Sequence, residues 1–376
     1  MRTPAVTQQS PLSNLLERLA ELKDPRQQAK VIYPLPEILL LVLSATLAGA
    51  DDIVEMTRWA QLHPDFLRRY YPYEEGFPSH DTVSDVFKAL DADLFSQLFI
   101  DWTAEMTGAA ADIISVDGKT SRRSGSARQA PLHLVSAWAN QQNLVIGQEA
   151  TDQKSNEITA IPALLKQLDI SGCLITIDAM GTQKKIAKQI ITAGGDYLLA
   201  VKGNQATLEE DIAYFFQKPP AKALIDEHTQ IEKDHGRLET RRCRLCNDVD
   251  WVTQRHAWAG LASIICIECW VEKGGKTTYS IRYYICSLAM TARAANYAVR
   301  AHWGVENKLH WVLDVLMRED LARNREGHSA HNLSILRHLA TNLLRHDSSN
   351  KHSLKVRRKQ AAWSTDYLAE VIGQVW

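Results

Sequence analysis

Between residues 112 and 203, strand-like and helix-like runs alternate in an order that few folds can accept. "DIISVDGKT" (112–120), "LHLVSAWAN" (132–140) and "LVIGQEATD" (144–152) are β-type runs with short polar connections. The joint from Asn140 to Asn143 predicts a hairpin between the second and third. An amphipathic helix, "NEITAIPALLKQLD" (156–169), comes next, with Pro162 expected to interrupt it. "CLITIDAM" (173–180) is a nearly continuous apolar strand, the kind buried on both faces of a sheet. "TQKKIAKQIITAGG" reads as a helix with a glycine stop, and "DYLLAVKG" (196–203) as another apolar strand. The order βββαβαβ predicts an α/β fold in which an antiparallel hairpin unit is followed by helical crossovers.

The flanks differ in character. Residues 1–108 read as a helical N-terminal domain, with "SPLSNLLERLAEL", "LPEILLLVLSATLAGA" and "SHDTVSDVFKALDADLFSQLFIDWTAEM" at helical spacing and Ser79 or Asp81 as a cap. The run from Pro36 to Ala50 is shorter than the ~20 residues that span a bilayer, so it is expected as a buried helix. With no apolar leader in "MRTPAVTQQS", a cytoplasmic protein with reduced thiols and no membrane partner is expected. Residues 204–290 read as a β-rich insertion, 291–348 as returning helices and 349–376 as a basic tail. The net charge of -1 disfavours a uniformly basic nucleic-acid binder, but from Arg293 onward 13 Lys and Arg face 8 Asp and Glu, leaving room for local basic faces. Cys243/Cys246 and Cys266/Cys269 have zinc-ribbon spacing, yet both pairs fall in strand-like runs without a turn. Residues three apart on a strand face opposite ways, so buried packing rather than zinc is expected of them.

Two aspartates end apolar strands: Asp117 closes "IISVD" and Asp178 closes "LITID". Either alone reads as a turn former or cap. The strand–helix order is that of an RNase H-like core with a mixed five-stranded sheet, which sets these two strands side by side. Carboxylates held together repel, and a hard divalent cation relieves that repulsion. A third carboxylate, Glu306 in "HWGVENKLHW", comes from the returning helix after the insertion. His302, Glu306, His310 and Asp314 recur at four-residue steps and could form a His/carboxylate metal stripe. With two strand-end aspartates as partners, an all-oxygen Mg²⁺ site is the better reading. Trp303 and Trp311 read as core packing or as stacking platforms for a nucleic-acid base.

"SVDGKTSRRS", "EATDQKSNEITAIPALL", "TIDAMGTQKKIA", "GGDYLLAVKGNQ" and "HWGVENKLHWVLDVLMRED" occur in that order. The chain therefore resembles the H-repeat-associated, ISAs-type DDE transposases of bacterial insertion sequences, over roughly residues 10 to 370. "DPRQQAKVIYPLPEILLLVLSATLAGA" and "HDTVSDVF" resemble the family's associated helical domain, and "RRKQAAWSTDYLAEVI" its C-terminus. The resemblance implies a catalytic triad of Asp117, Asp178 and Glu306 holding two Mg²⁺ or Mn²⁺ ions. It also implies hydrolysis at element ends, strand transfer into target DNA, and a homo-oligomeric active complex. In the wider superfamily an arginine stands four residues before the glutamate; here His302 does, with Arg300 two residues earlier.

Several basic residues are candidate DNA contacts, each equally readable as a solvated charge. Lys119, Arg122, Arg123 and Arg128 follow Asp117 directly, and Lys202 and Asn204 follow the last core strand. Arg300, His302, Lys308 and His310 flank Glu306. Lys154 and Glu157 lie in one connection, with Glu157 read as a first-turn helix charge in preference to a stray metal-site carboxylate. Two other function classes stay open: a domesticated or inactive relative that only binds DNA, and a zinc-ribbon regulator.

Overall fold

The computed structural model describes residues 13–108, 111–126, 130–151, 157–234, 236–347 and 350–373. Arg128 and Lys154 lie outside them. Six helices from Ser13 to Thr107 open the chain, with side-chain caps where the sequence offers them. Ser79 Oγ accepts from Thr82 N at 3.2 Å, and Asp91 Oδ1 accepts from Asp93 N and Leu94 N. The Leu35–Leu47 helix is buried on nearly every side, as its uninterrupted apolar sequence requires.

The strands are β1 (Ile113–Thr120), β2 (His133–Ala139), β3 (Leu144–Ala150), β4 (Leu174–Ile177) and β5 (Asp196–Val201). After a helix at Ala206–Gln217 come β6 (Asp226–Asp234), β7 (Arg237–Cys246), β8 (Ser263–Lys273) and β9 (Lys276–Cys286). The Glu157–Lys166 helix runs unbroken through Pro162, contrary to expectation.

The sheet has nine strands, not the expected five, in the order β3-β2-β1-β4-β5-β9-β8-β7-β6. Its β1–β4 and β4–β5 ladders are parallel and the others antiparallel. β9 pairs with β5 from Leu198↔Cys286 to Val201↔Tyr283, so the inserted strands prolong the ladder. The reason is burial. The last four residues of β9 and the first six of β8 are buried, while the other ends of both strands project into solvent. Left as an edge, the apolar β5 would expose a row of unpaired backbone groups.

Strand alternation sorts the two faces. Ile114, Val116, Ile175, Ile177 and Leu199 pack in one apolar cluster with the helices at Glu157–Lys166, Lys184–Thr192 and Ala206–Gln217. Ile113, Leu174, Leu198 and Ala200 face the other way, onto Ala292, Ala295, Ala298 and Val299 of the Ala292–Gly304 helix. That helix continues through a π-helical turn, Val305–His310, into Trp311–Val315. From the turn onward, Val305, Leu309 and Leu313 join a third cluster, shared by the N-terminal helices and the Ser329–His346 helix. Among the described residues no helix is long and apolar enough to cross a membrane.

Candidate active site

The same alternation delivers the site. On β1, Asp117 follows Ile113 and Ser115 toward the Ala292–Gly304 helix; Asp178 follows Leu174 and Thr176 from β4; Lys202 follows Leu198 and Ala200 from β5. The β1–β4 ladder ends at Val116↔Ile177, so Asp117 and Asp178 emerge side by side one residue further on. Asp178 follows the end of β4, but Asp117 does not close its strand as expected: β1 stays paired with β2 through Thr120↔His133. Both, with Lys202, His302, Trp303 and Glu306, line a pocket of about 170 Å³. Glu306 is exposed and stands in the first turn of the π-helical segment. Such turns are rare and cluster at functional sites, because the widened turn re-aims side chains.

Hydrogen bonds hold the strand ends. Asp178 Oδ1 accepts from Met180 N at 2.9 Å and Gly181 N at 3.2 Å, fixing the turn after β4. Asn204 Nδ2 donates to Ala179 O at 2.6 Å, so this candidate DNA contact braces the same turn. Behind the pocket, Asn140 Nδ2 donates to Ser115 Oγ at 2.7 Å and the Thr176 hydroxyl donates to Ser115 Oγ at 3.1 Å. His302 Nδ1 lies 3.0 Å from Thr176 Oγ1.

Burial and the nearby carboxylates of Glu157, Asp178 and Glu306 push the Asp117 carboxyl up to about 7, against a hydrogen bond from the Gly118 amide. Burial drives His302 and His310 the other way, to about 4. Both rings are therefore neutral at neutral pH. His302 is anchored on Thr176, and His310 Nδ1 stands 3.7 Å from Asp117 Oδ2. A neutral ring meets phosphate as an N–H donor and not as a cation.

The other candidate DNA contacts divide. Lys202 is exposed and lines the carboxylate pocket. Arg122 is 80% exposed with Nε 3.4 Å from Asp320 Oδ2, and Arg123 is exposed while its carbonyl accepts from Arg325 Nε. Lys308 is exposed and donates to Asn143 Oδ1 at 2.7 Å. Arg300 Nη2 lies 3.3 Å from Glu232 Oε2. Lys119 is drawn inward, into a group of carboxylates.

Three features escaped sequence reasoning. His133 Nε2 stands 2.9 Å from Glu157 Oε1 directly over Gly118, where a Cβ would collide with both side chains. That pair, which the sequence did not reveal, explains the glycine after Asp117; it sets Glu157 near the site as a fourth carboxylate, the less favoured of its two sequence readings. Second, Arg237, Arg241, Arg282, Arg300 and Trp303 line a larger pocket, about 450 Å³, between the β7–β9 face and the helix. Arg282, Trp303 and Glu306 line both pockets, so the two adjoin. The Arg282 guanidinium sits 5.0 Å from the Trp303 ring centroid, and Glu239 takes ion pairs from Arg237 and Arg241. Arg237, Glu239 and Arg241 at two-residue steps on a strand were the available signal. The third is the π-helical turn, for which the sequence carries no local signal.

Among the described residues no three His, Cys, Asp or Glu side chains stand close enough to hold a metal ion together. Asp117, Asp178 and Glu306 thus share a pocket without closing on one point. Their chemistry still fits a hard cation: the donors are carboxylate oxygens, and burial together with the neighbouring carboxylates raises Asp117.

A profile described as "Transposase DDE domain" matches residues 108–343, and one described as "DDE_Tnp_1-associated" matches residues 16–103. The chain is 40% identical over 373 residues to the "H repeat-associated putative transposase YhhI" of Escherichia coli (strain K12), covering 96% of this chain and 98% of that one. It is 43% identical over 246 residues to "H repeat-associated putative transposase YbfD" of the same strain, covering 64% of this chain and 96% of that one. Among solved structures, a piggyBac transposase in a synaptic complex with hairpin DNA aligns with a TM-score of 0.50 at 12% identity, over 98% of this chain and 83% of that chain. That is a likeness of fold. With the domain profile spanning most of the chain and these relatives 40% and 43% identical to it, the protein belongs to the DDE transposase family.

Proposed function

We propose that the chain is a DNA transposase that hydrolyses a phosphodiester at the ends of its insertion sequence and joins the freed 3′ end to target DNA. The observation that carries this reading is the lining of one pocket by Asp117, Asp178 and Glu306, delivered by β1, the end of the adjacent β4 and a helix. The β3-β2-β1-β4-β5 half of the sheet supports an RNase H-like core, interrupted by an insertion at residues 204–290 and joined to an N-terminal helical domain at 1–108. On this reading the protein is cytoplasmic, and it acts as a homo-oligomer, the latter an expectation that rests on the family resemblance.

Asp117, Asp178 and Glu306 would hold two Mg²⁺ or Mn²⁺ ions. Bound there, such a pair activates the attacking oxygen and stabilises the leaving one. The chain's own part is positioning and charge. Lys202 faces the carboxylate pocket, where a scissile phosphate would meet it. The adjoining pocket of Arg237, Arg241, Arg282 and Arg300 suits a phosphodiester strand running toward Glu306, with Trp303 as an aromatic wall. The backbone amides of Met180 and Gly181 keep Asp178 aimed, and neutral His310 beside Asp117 adds no competing charge.

One observation favours a second reading, a relative that binds DNA without cutting it: the three carboxylates as they stand do not close on a common point. A cleavage assay on DNA carrying an element end separates the two. Wild type is expected to nick it only with Mg²⁺ or Mn²⁺, and Asp117→Ala to bind the same DNA with at least ~100-fold slower nicking. Binding by both proteins with nicking by neither would leave only the second reading.

A further inference from the structure

Lys119 follows Asp117 by two residues on β1, so both side chains leave the strand on the same face. Its side chain is only 10% exposed, with Nζ 2.8 Å from Asp314 Oδ1, 2.7 Å from Glu319 Oε2 and 3.5 Å from Asp320 Oδ1. An ammonium carries three N–H donors, and three carboxylates surround this one. Asp314 stands eight residues beyond Glu306, past the π-helical turn on the same helical run. Glu319 is fully buried and accepts from Ser334 Oγ at 3.0 Å, in the Ser329–His346 helix. Lys119 and Arg337 hold its carboxyl below the usual range despite that burial. One ammonium therefore links the strand of Asp117, the helical run of Glu306 and the helix behind both.

We propose that Lys119 is a positioning residue of the carboxylate site, fixing the helix that carries Glu306 against the strand that carries Asp117, and that it makes no contact with DNA. Without the ammonium, Asp314, Glu319 and Asp320 would face one another with Arg337 as the remaining inner cation. Their repulsion and the cost of leaving Glu319 buried without its partner would drive Asp314 and its helix off β1. Glu306 would move with that helix. Arginine cannot replace the lysine, because a planar fork does not match three carboxylates arranged around a point.

The inference rests on the transposase reading above, so its test separates the two. Lys119→Met and wild type are compared in Mn²⁺ titration by electron paramagnetic resonance without DNA, in DNA affinity against salt, and in cleavage. Lys119→Met is expected to bind Mn²⁺ at least ~10-fold more weakly and to cleave at least ~10-fold more slowly, while the salt slope of DNA binding stays unchanged. A lysine that touches phosphate would instead flatten that slope by about one and spare Mn²⁺ affinity, and this result would overturn the proposal. Asp314→Asn guards against a variant that does not fold, since that side chain is 32% exposed. It should weaken Mn²⁺ binding in the same direction, and wild-type Mn²⁺ affinity in folded Asp314→Asn also overturns the proposal. Wild-type protein that takes up no Mn²⁺ overturns both readings together.

Discussion

The residue that most exposes the site's physics is Asp117. Its carboxyl is lifted to about 7 because burial and three neighbouring carboxylates disfavour its charge. In the unfolded chain the same group titrates near its ordinary value, 3.8. Between these values the folded protein holds a proton that the unfolded chain has lost. The contribution to stability is thus fully present in acid and disappears as pH rises through about 7. Asp117→Asn cannot ionise, so it escapes this loss. In urea unfolding without metal, the variant is expected to match wild type near pH 4 and to exceed it at pH 8 by on the order of 1–3 kcal/mol. A variant less stable than wild type at pH 8 would contradict this picture of Asp117. The same carboxyl should make cleavage fall as pH drops below about 7, since a protonated ligand no longer attracts a cation.

At the scale of elements, the helix of Glu306 shows what was legible and what was not. The strand segments that lead to Asp117 and Asp178 are short apolar runs, and the helix is periodic, so local pattern reveals them. The pairing of β5 with β9 joins residues such as Leu198 and Cys286, far apart in the chain, and no local pattern announces it. The inward turn of Lys119 depends on Asp314, Glu319 and Asp320, which only folding brings near. The π-helical turn falls where burial passes from Val299, against the sheet, to Val305, against the helical core. Gly304 sits just before it, and a Cβ there would collide with Asn140 Oδ1 and come within 3.2 Å of Trp138 Nε1. Gly304→Ala should therefore cost about 1–3 kcal/mol in urea unfolding and slow cleavage through the displaced Glu306. Gly203→Ala, with nothing within 4 Å of the added carbon, serves as the control and should be near neutral. Equal behaviour of the two variants would mean that the close approach at Gly304 positions nothing.

At the scale of the whole molecule, the chain's two ends share one core. Leu39, Leu43 and Phe99 from the N-terminal helices pack in one cluster with Leu336, Leu339 and Leu343 of the Ser329–His346 helix. The same helix covers the β3 edge: Asn342 Oδ1 accepts from Val145 N at 3.0 Å and Nδ2 donates to Val145 O at 2.7 Å, as a neighbouring strand would. The run that carries Glu306 is thus gripped by the sheet before its π-helical turn and by this helical core after it. Such a scaffold would hold three carboxylates around one pocket while leaving them a short closing movement. Anomalous diffraction from crystals grown with Mn²⁺ tests this most directly. Two peaks about 3.5–4 Å apart, coordinated by Asp117, Asp178 and Glu306, are the expected result. Mn²⁺ bound elsewhere, with none at these three carboxylates, would contradict it.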